Sequence, residues 1–384
     1  MFILHIDMNN YFASVEQQLD PTLRGKAIGI TGKQIERSVI ATASREAKAR
    51  GVKTAMPVWQ ARRLCPELLL VPGRHHIYEA ISRKIFSLLR RYTHMVEPAS
   101  IDEAFVDLTA VAADSLDAVA IAQHIKQDIV QSLGEYLTCS IGIAPNKLVA
   151  KMASDCQKPD GLTLVPPSRV ETFMLERKLS DVCGIGPKTV QKLAGMNIHS
   201  IEALQGMPLH ILTAAFHSYG TWLYHAARGE DDNPVAYESE APKSFGHAHT
   251  LPHNTRDPDT MRCILFGLAE KVARRMRREG FSAETVSVTI RYGDFQTVSV
   301  EERCRTPMHD GLVLGKVGWR LCKQARDKTK PVRLLGLSAG GLVAGRMMPL
   351  FLKDQKTERV VDALDALSHK RGRSLWSRAG FMNN

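Results

Sequence analysis

Cysteine is scarce and unpaired in this chain of 384 residues. Its seven cysteines (Cys65, Cys139, Cys156, Cys183, Cys263, Cys304 and Cys322) are odd in number, widely spaced and never in a CxxC arrangement. Neither a zinc site nor a disulfide framework is supported, and reduced, mostly buried thiols are expected. No apolar run reaches the roughly 18 residues that a membrane span needs. The start, MFILHIDMNN, has neither the basic opening nor the small-residue cleavage site of a secretory leader. A cytoplasmic protein without a membrane segment is the expectation.

A surplus of negative charge is missing as well. The net charge is +11, and its distribution is uneven. Between Lys243 and Phe351, 19 Lys/Arg stand against 10 Asp/Glu, a net of +9, which leaves only +2 for the rest. A basic excess confined to one segment is the mark of a module that grips a polyanion. With 44% hydrophobic and 24% charged residues the chain is globular, and its length predicts two to four domains.

The chemistry concentrates in Ser100-Ile101-Asp102-Glu103-Ala104-Phe105-Val106-Asp107-Leu108, taken with Asp7. Two adjacent carboxylates open one strand-like run and a third closes another, the hard-oxygen set that divalent cations need. Residues 2–7 read as a buried strand, with Phe2, Leu4 and Ile6 on one face and Ile3, His5 and Asp7 on the other. If helices cover the first face, Asp7 emerges on the open one. Asn9 and Asn10 are candidate caps for the helix that follows, whose N-terminus suits a phosphate. Taken alone, this stretch reads better as an ordinary acidic strand end beside a capped helix.

Further on, a strand at 27–30, a polar turn over 32–37 and a strand at 39–41 enter a helix over 42–50. Its Arg45 and Lys48 share a face and are available to a triphosphate, although solvated basic residues on surface helices are commoner. An amphipathic helix spans about 76–92. The acidic strand at 101–108, a helix over 116–133 and a strand at 138–143 complete a hairpin-free βαβ pattern of an α/β sheet. Ile143-Ala144-Pro145-Asn146-Lys147 turns from strand into helix, ending at Lys158-Pro159-Asp160-Gly161.

Leu179 to Thr189 contains Gly184-Ile185-Gly186-Pro187-Lys188-Thr189. A Gly-x-Gly turn between two helices exposes consecutive N–H groups beside Lys188, a nest that binds a DNA phosphate without reading a base. Residues 228–244 look like a linker. The basic segment then reads strand (245–250), helix (257–279), strand (285–292), strand (296–303), helix (312–325), strand (332–337), a complete βαββαβ domain of α+β type. Lys271, Arg274, Arg275, Arg277 and Arg278 crowd one of its helices. A charged tail over 353–370 follows Met347-Met348-Pro349-Leu350-Phe351 and either packs back on its domain or serves as a docking peptide.

Together these motifs, in this order and over nearly the whole chain, resemble the Y-family DNA polymerases of the DinB type. The resemblance implies a right-hand polymerase, α/β and α+β in class. Its parts would be a palm (1–10 and 76–166), fingers (11–75), a helix-hairpin-helix thumb (167–230), a linker (231–243), a little finger (244–345) and a C-terminal tail (346–384). It further implies a monomer acting on primer-template DNA and deoxynucleoside triphosphates with two Mg2+ ions. Asp7, Asp102 and Glu103 would be the catalytic carboxylates and metal ligands, with the Met8 carbonyl as an additional ligand.

Tyr11, Phe12, Thr42, Arg45, Lys48 and Lys158 would hold the nucleotide, with Phe12 as the steric gate against a 2′-hydroxyl. Gly184, Gly186, Lys188, Thr189, Arg274, Arg277 and Arg278 would grip DNA. Met347, Leu350 and Phe351 resemble a sliding-clamp motif that lacks its leading glutamine. The family has Tyr and Arg where this chain has Arg45 and Lys48, so a guanidinium fork replaces a single hydroxyl and a point charge replaces a fork. Small residues at 38, 41, 42, 44 and 55 imply a loose lid over the nascent base pair. With no segment left over for a proofreading exonuclease, low fidelity is expected.

Neighbouring side chains of a strand face opposite ways. Asp7 and Asp102 are therefore expected to be the firm ligands, Glu103 the loosely held one turned to the primer end, and Asp107 an ordinary carboxylate. A non-catalytic relative that bridges DNA and partners is the rival, opposed by retention of all three acids. A helix-hairpin-helix nuclease or glycosylase would explain residues 184–189 but not the carboxylates.

Overall fold

The computed structural model describes residues 1–32, 35–237, 241–345 and 359–367. Strand β1 (Ile3–Met8) leads into α1 (Tyr11–Leu19). A small sheet follows, built from β2 (Ile28–Thr31), β3 (Thr42–Ala43) and, after α2 (Arg45–Ala49) and α3 (Val58–Leu64), β4 (Leu69–Pro72). Helix α4 (His75–Leu89) returns the chain to β5 (Val96–Pro98) and β6 (Glu103–Asp107). Then come α5 (Ser115–Leu133), β7 (Cys139–Ala144), α6 (Lys147–Cys156) and β8 (Leu162–Leu164). A run of short helices closes this part: α7 (Val170–Leu175), α8 (Pro187–Ala194), α9 (Ile201–Gln205), α10 (Leu209–Phe216) and α11 (Ser218–Ala227).

The main sheet has the order β5-β6-β1-β7-β8. Contrary to the hairpin-free βαβ expectation, β1 is antiparallel to both neighbours, and only β7 and β8 run parallel. The expectation of no hairpin fails locally as well: β5 and β6 are joined by residues 99–102, and so short a connection can only form an antiparallel hairpin. One sheet face packs Leu4, Ile6, Val106, Ile141 and Ile143 against Ile85, Leu89, Ile125 and Ile129 of α4 and α5. Each such side chain contributes about 1.5–3 kcal/mol.

The other face is covered too, where an open one was expected. Ile3, Phe105 and Ala144 share a core with Leu148, Val149 and Met152 of α6. Gly142 permits this approach, since a Cβ there would lie 2.1 Å from the Ala150 carbonyl oxygen and 2.4 Å from Ser154 N.

Several local expectations shift. Neither Asn9 nor Asn10 caps α1; Asn10 is left-handed (φ 51°), and the Asn9 side chain instead bonds Ser140, Thr138 and Asp160 N. The helix expected from 42 starts at Arg45 behind Ser44, whose hydroxyl accepts from Ala47 N, and Thr42 lies in β3. Val39 makes only an isolated bridge to Pro57. Before Gly184 there is a single 3-10 turn (Leu179–Asp181) rather than a full helix. Residues 231–237, expected within the linker, are pinned. Asp231 accepts from Leu148 N at 3.2 Å, Ala236 N donates to Glu97 at 2.7 Å, and Val235 is buried.

The chain divides into two compact units, Met1–Ser239 and Glu240–Asn384. The second carries the expected βαββαβ order: β9 (Ser244–Thr255), α12 (Pro258–Arg278), β10 (Phe281–Tyr292), β11 (Thr297–Met308), α13 (Gly311–Ala325) and β12 (Val332–Ala344). These strands form an antiparallel sheet of order β11-β10-β12-β9 and are longer than their apolar cores suggest, because ladder pairing continues past them. Val286, Val288, Ile290, Leu335 and Leu337 meet Leu265, Val272, Leu314 and Leu321 of the two helices. Of the charged tail, 359–367 is helical and packs back on this unit, with Val361 buried and Asp365 paired to Arg277.

Candidate active site

Asp7 and Glu103 are directly opposed in the β1–β6 register, so their side chains share a face. Asp102 stands one residue earlier, in the turn, where its carbonyl accepts from Met8 N at 3.0 Å. The Ser100 hydroxyl donates to Asp102 Oδ1 at 2.6 Å and accepts from Glu103 N at 3.1 Å, which fixes the turn. The break expected at the strand's start is therefore present, but it moves Asp102, not Glu103, out of line. Asp107 accepts from Thr109 N at 2.8 Å and has an ordinary turn-forming role.

Glu103 is firmly held, against expectation. Its Oε2 accepts from Lys151 Nζ at 2.6 Å and lies 3.8 Å from His5 Nε2. His5 is buried, with Nδ1 at 2.7 Å from Ser154 Oγ and its ring against Phe105. Contact with His5 and the ion pair with Lys151 outweigh partial burial and hold the Glu103 carboxyl down to about 2. Lys151, His5 and Ser154 were not singled out from sequence. Their signal lies in the i, i+3 spacing of Lys151 and Ser154 on a helix whose close approach Gly142 allows.

Asp7 has its own cation. Lys158 contacts Asp7 Oδ2 and reaches Asp155 at 2.7 Å. Burial raises the Asp7 pKa despite Lys158; burial opposes the charge on Lys158, yet Asp7 and Asp155 prevail and raise its pKa. Among the described residues no three His, Cys, Asp or Glu side chains converge as they would around an ion. What the geometry offers is hard oxygen donors along one cleft, with an ammonium on Asp7 where a divalent cation would be neutralised equally well, so the residues fit such an ion.

That cleft, of about 600 Å³, gathers Asp7, Met8, Tyr11, Phe12, Thr42, Arg45, Lys48, Asp102, Glu103 and Lys158. Every nucleotide and metal residue expected from sequence thus lines one space. Tyr11 contributes backbone only, because its ring is buried and its hydroxyl donates to the Tyr78 carbonyl at 2.7 Å. Phe12 stacks on Tyr78, with centroids 4.4 Å apart and planes 14° from parallel. Burial, with Lys158 nearby, lowers the Lys48 pKa. Of the small residues expected as a lid, Ala41 and Thr42 line the cleft and are joined by Thr54. Ser44 is wholly buried as a helix cap.

Gly184 (φ +103°) could not be replaced, since Trp222 lies 2.5 Å from a Cβ there, and the Tyr219 hydroxyl donates to its carbonyl at 2.7 Å. Gly186 caps α8 with ordinary dihedrals and open space around it. Lys188 is exposed beside it and Thr189 is half-buried.

In the second unit one assignment fails. Arg277 is buried, donating to Glu270 at 3.0 Å, Asp365 at 2.8 Å and the His309 carbonyl at 3.1 Å, so it is a core ion pair rather than a DNA contact. Arg274 also lies against Asp365, and Arg278 is exposed beside Glu279. Helical crowding of basic residues hid this, because the acids that neutralise Arg277 lie seven residues before it and in the tail. The sheet face opposite the helices is not among the sites expected from sequence. There Thr285, Ser287, Thr289 and Arg291 alternate with the buried Val286, Val288 and Ile290, a period of two that was readable. Met347, Leu350 and Phe351 lie outside the described residues.

The chain matches the impB/mucB/samB family over residues 6–155 and that family's C-terminal domain over 242–348. It is 38% identical to DNA polymerase IV 1 of Bacillus subtilis (strain 168), covering 97% of this chain and 91% of the relative. It is 37% identical to DNA polymerase IV of Moorella thermoacetica (strain ATCC 39073 / JCM 9320), covering 98% and 95%. Among solved structures, a Y-family DNA polymerase chimera, Dbh-Dpo4(243-245)-Dbh, superposes with a TM-score of 0.83 at 28% identity, covering 90% of this chain and all of that one. An insertion ternary complex of Dbh DNA polymerase gives a TM-score of 0.63 at the same identity and coverage. The carboxylates, the cleft and these likenesses converge, and the chain belongs to the Y family of DNA polymerases, enzymes of DNA-directed translesion synthesis.

Proposed function

We propose that this polymerase extends a primer 3′ end on a DNA template by two-metal nucleotidyl transfer, bypasses lesions, and copies with low fidelity and without proofreading. The observation that carries the proposal is the gathering of Asp7, Asp102 and Glu103 with Phe12, Arg45, Lys48 and Lys158 around one cleft. Asp7, Asp102, Glu103 and the Met8 carbonyl would hold two Mg2+ ions. Such ions lower the pKa of the attacking hydroxyl and neutralise the triphosphate. Arg45, Lys48 and Lys158 then supply the remaining positive charge to the phosphates, which requires Lys158 to exchange Asp7 for the nucleotide. Positioning and charge neutralisation do most of the work in phosphoryl transfer.

In this reading Phe12 walls off the sugar's 2′ side, while Ala41, Thr42 and Thr54 leave room around the base pair. The main sheet acts as palm, the β2–β4 sheet as fingers, residues 167–230 as thumb and the second unit as little finger. The Gly184–Gly186 turn takes a phosphate on its N–H groups. In the second unit, the Ser/Thr/Arg face of the sheet offers a phosphate grip in place of Arg277.

Primer extension with Mg2+ on undamaged and lesion-bearing templates tests the proposal. Asp102→Ala and Glu103→Ala should each reduce incorporation by roughly a thousandfold, and equal activity in the variants overturns the mechanism. Phe12→Ala should admit ribonucleotides. Trimming of a mismatched primer by the purified protein would contradict the absence of proofreading.

A further inference from the structure

Helix α3 presents a combination that the cleft does not use. Trp59 is 61% exposed, although indole is among the costliest side chains to leave in water. Arg62 and Arg63 follow at i+3 and i+4, on the same side of the helix, and both are exposed. Neither guanidinium has an ion-pair or hydrogen-bond partner among the described residues. Some other surface arginines of this unit are neutralised: half-buried Arg24 by Glu135, and exposed Arg50 by Glu67 and Arg91 by Asp128. Glu67, the acid nearest in sequence, is therefore already taken by Arg50.

The location narrows the occupant. Thr54 lines the catalytic cleft, and α3 begins four residues later. Ile40 N bonds the Met56 carbonyl, Val39 bridges Pro57, and Ala41 and Thr42 continue from that segment into the cleft wall. Val39 is itself 47% exposed. The outer end of the wall that would cover the templating base thus carries an aromatic platform with two unneutralised cations. Flat aromatic faces stack any base, and guanidinium groups track phosphates without reading sequence.

We infer that Trp59, Arg62 and Arg63 bind the single-stranded template ahead of the nascent pair, with Trp59 stacking an unpaired base. The inference rests on the polymerase reading and deepens it. It gives the enzyme a hold on template that has not yet been copied.

The test compares equilibrium binding to primer-templates with a 5′ overhang of one nucleotide and of about eight, at two salt concentrations. Wild type should bind the longer overhang about tenfold more tightly. Trp59→Ala should lose most of that gain and Trp59→Phe should keep it. Arg62→Ala with Arg63→Ala should weaken the longer substrate and flatten its salt dependence. All variants should add the first nucleotide on the one-nucleotide overhang at the wild-type rate, which separates this inference from the polymerase reading. If wild type binds both overhangs equally, or Trp59→Ala retains the gain, the inference fails while polymerisation stands. A change in sedimentation mass caused by Trp59→Ala would also overturn it, by identifying the face as a protein interface.

Discussion

Two helices of this molecule carry closely spaced basic residues and use them in opposite ways. Helix α2 directs Arg45 and Lys48 toward a cleft lined by carboxylates, and their charge stays available. Helix α12 turns Arg277 inward to Glu270 and Asp365, consuming its charge in holding the tail helix to the sheet domain. Spacing alone does not distinguish the two. The acids that meet each cation do, and those acids come from distant parts of the chain. A cation left without its acid is available to a ligand, whereas a buried and paired one belongs to the fold.

That contrast can be broken by substitution. Arg277→Ala should have the largest effect, costing about 3–5 kcal/mol because the buried Glu270 loses its guanidinium partner; a urea midpoint of the full chain close to wild type would break the comparison. Lys48→Ala should leave that midpoint unchanged but raise the KM for nucleotide about tenfold, the loss of one charge-assisted contact. A rise in kcat loss without a KM change would place Lys48 elsewhere. Arg45→Ala should raise KM by a smaller factor, since Arg45 also borders a second hollow beside Glu46 and Tyr136. Arg278→Ala, at an exposed pair with Glu279, should alter stability by less than about 1 kcal/mol and leave primer-template affinity within twofold. A large effect there would return the grip to the helix face.

Much of the first unit's candidate site, as a set of residues lining one cleft, was legible because its chemistry is local. Asp7 at a strand end and Asp102-Glu103 at a strand start need only period-two patterning to be noticed. What was not legible is relational. The register that opposes Asp7 to Glu103, and the helix that brings Lys151 to Glu103, depend on pairings between segments about fifty to a hundred residues apart. The second unit's element order was readable from alternation and amphipathicity. Its strand lengths were not, because ladder hydrogen bonds extend strands beyond their apolar cores, and neither was the burial of Arg277.

The stacked ring of Phe12 has a mechanical side. A wall discriminates only as far as it resists being pushed, so its selectivity is a matter of stiffness as well as position. Phe12 is backed by Tyr78, whose hydroxyl donates to Glu16 at 2.6 Å, and Arg74 clamps the same carboxylate at 3.0 Å. Glu16 is buried one helical turn beyond Phe12 on α1. Under the proposed role of Phe12, the rigidity of the sugar pocket would originate in an ion pair outside the cleft, and softening that pair would loosen the pocket without altering any residue that lines the cleft.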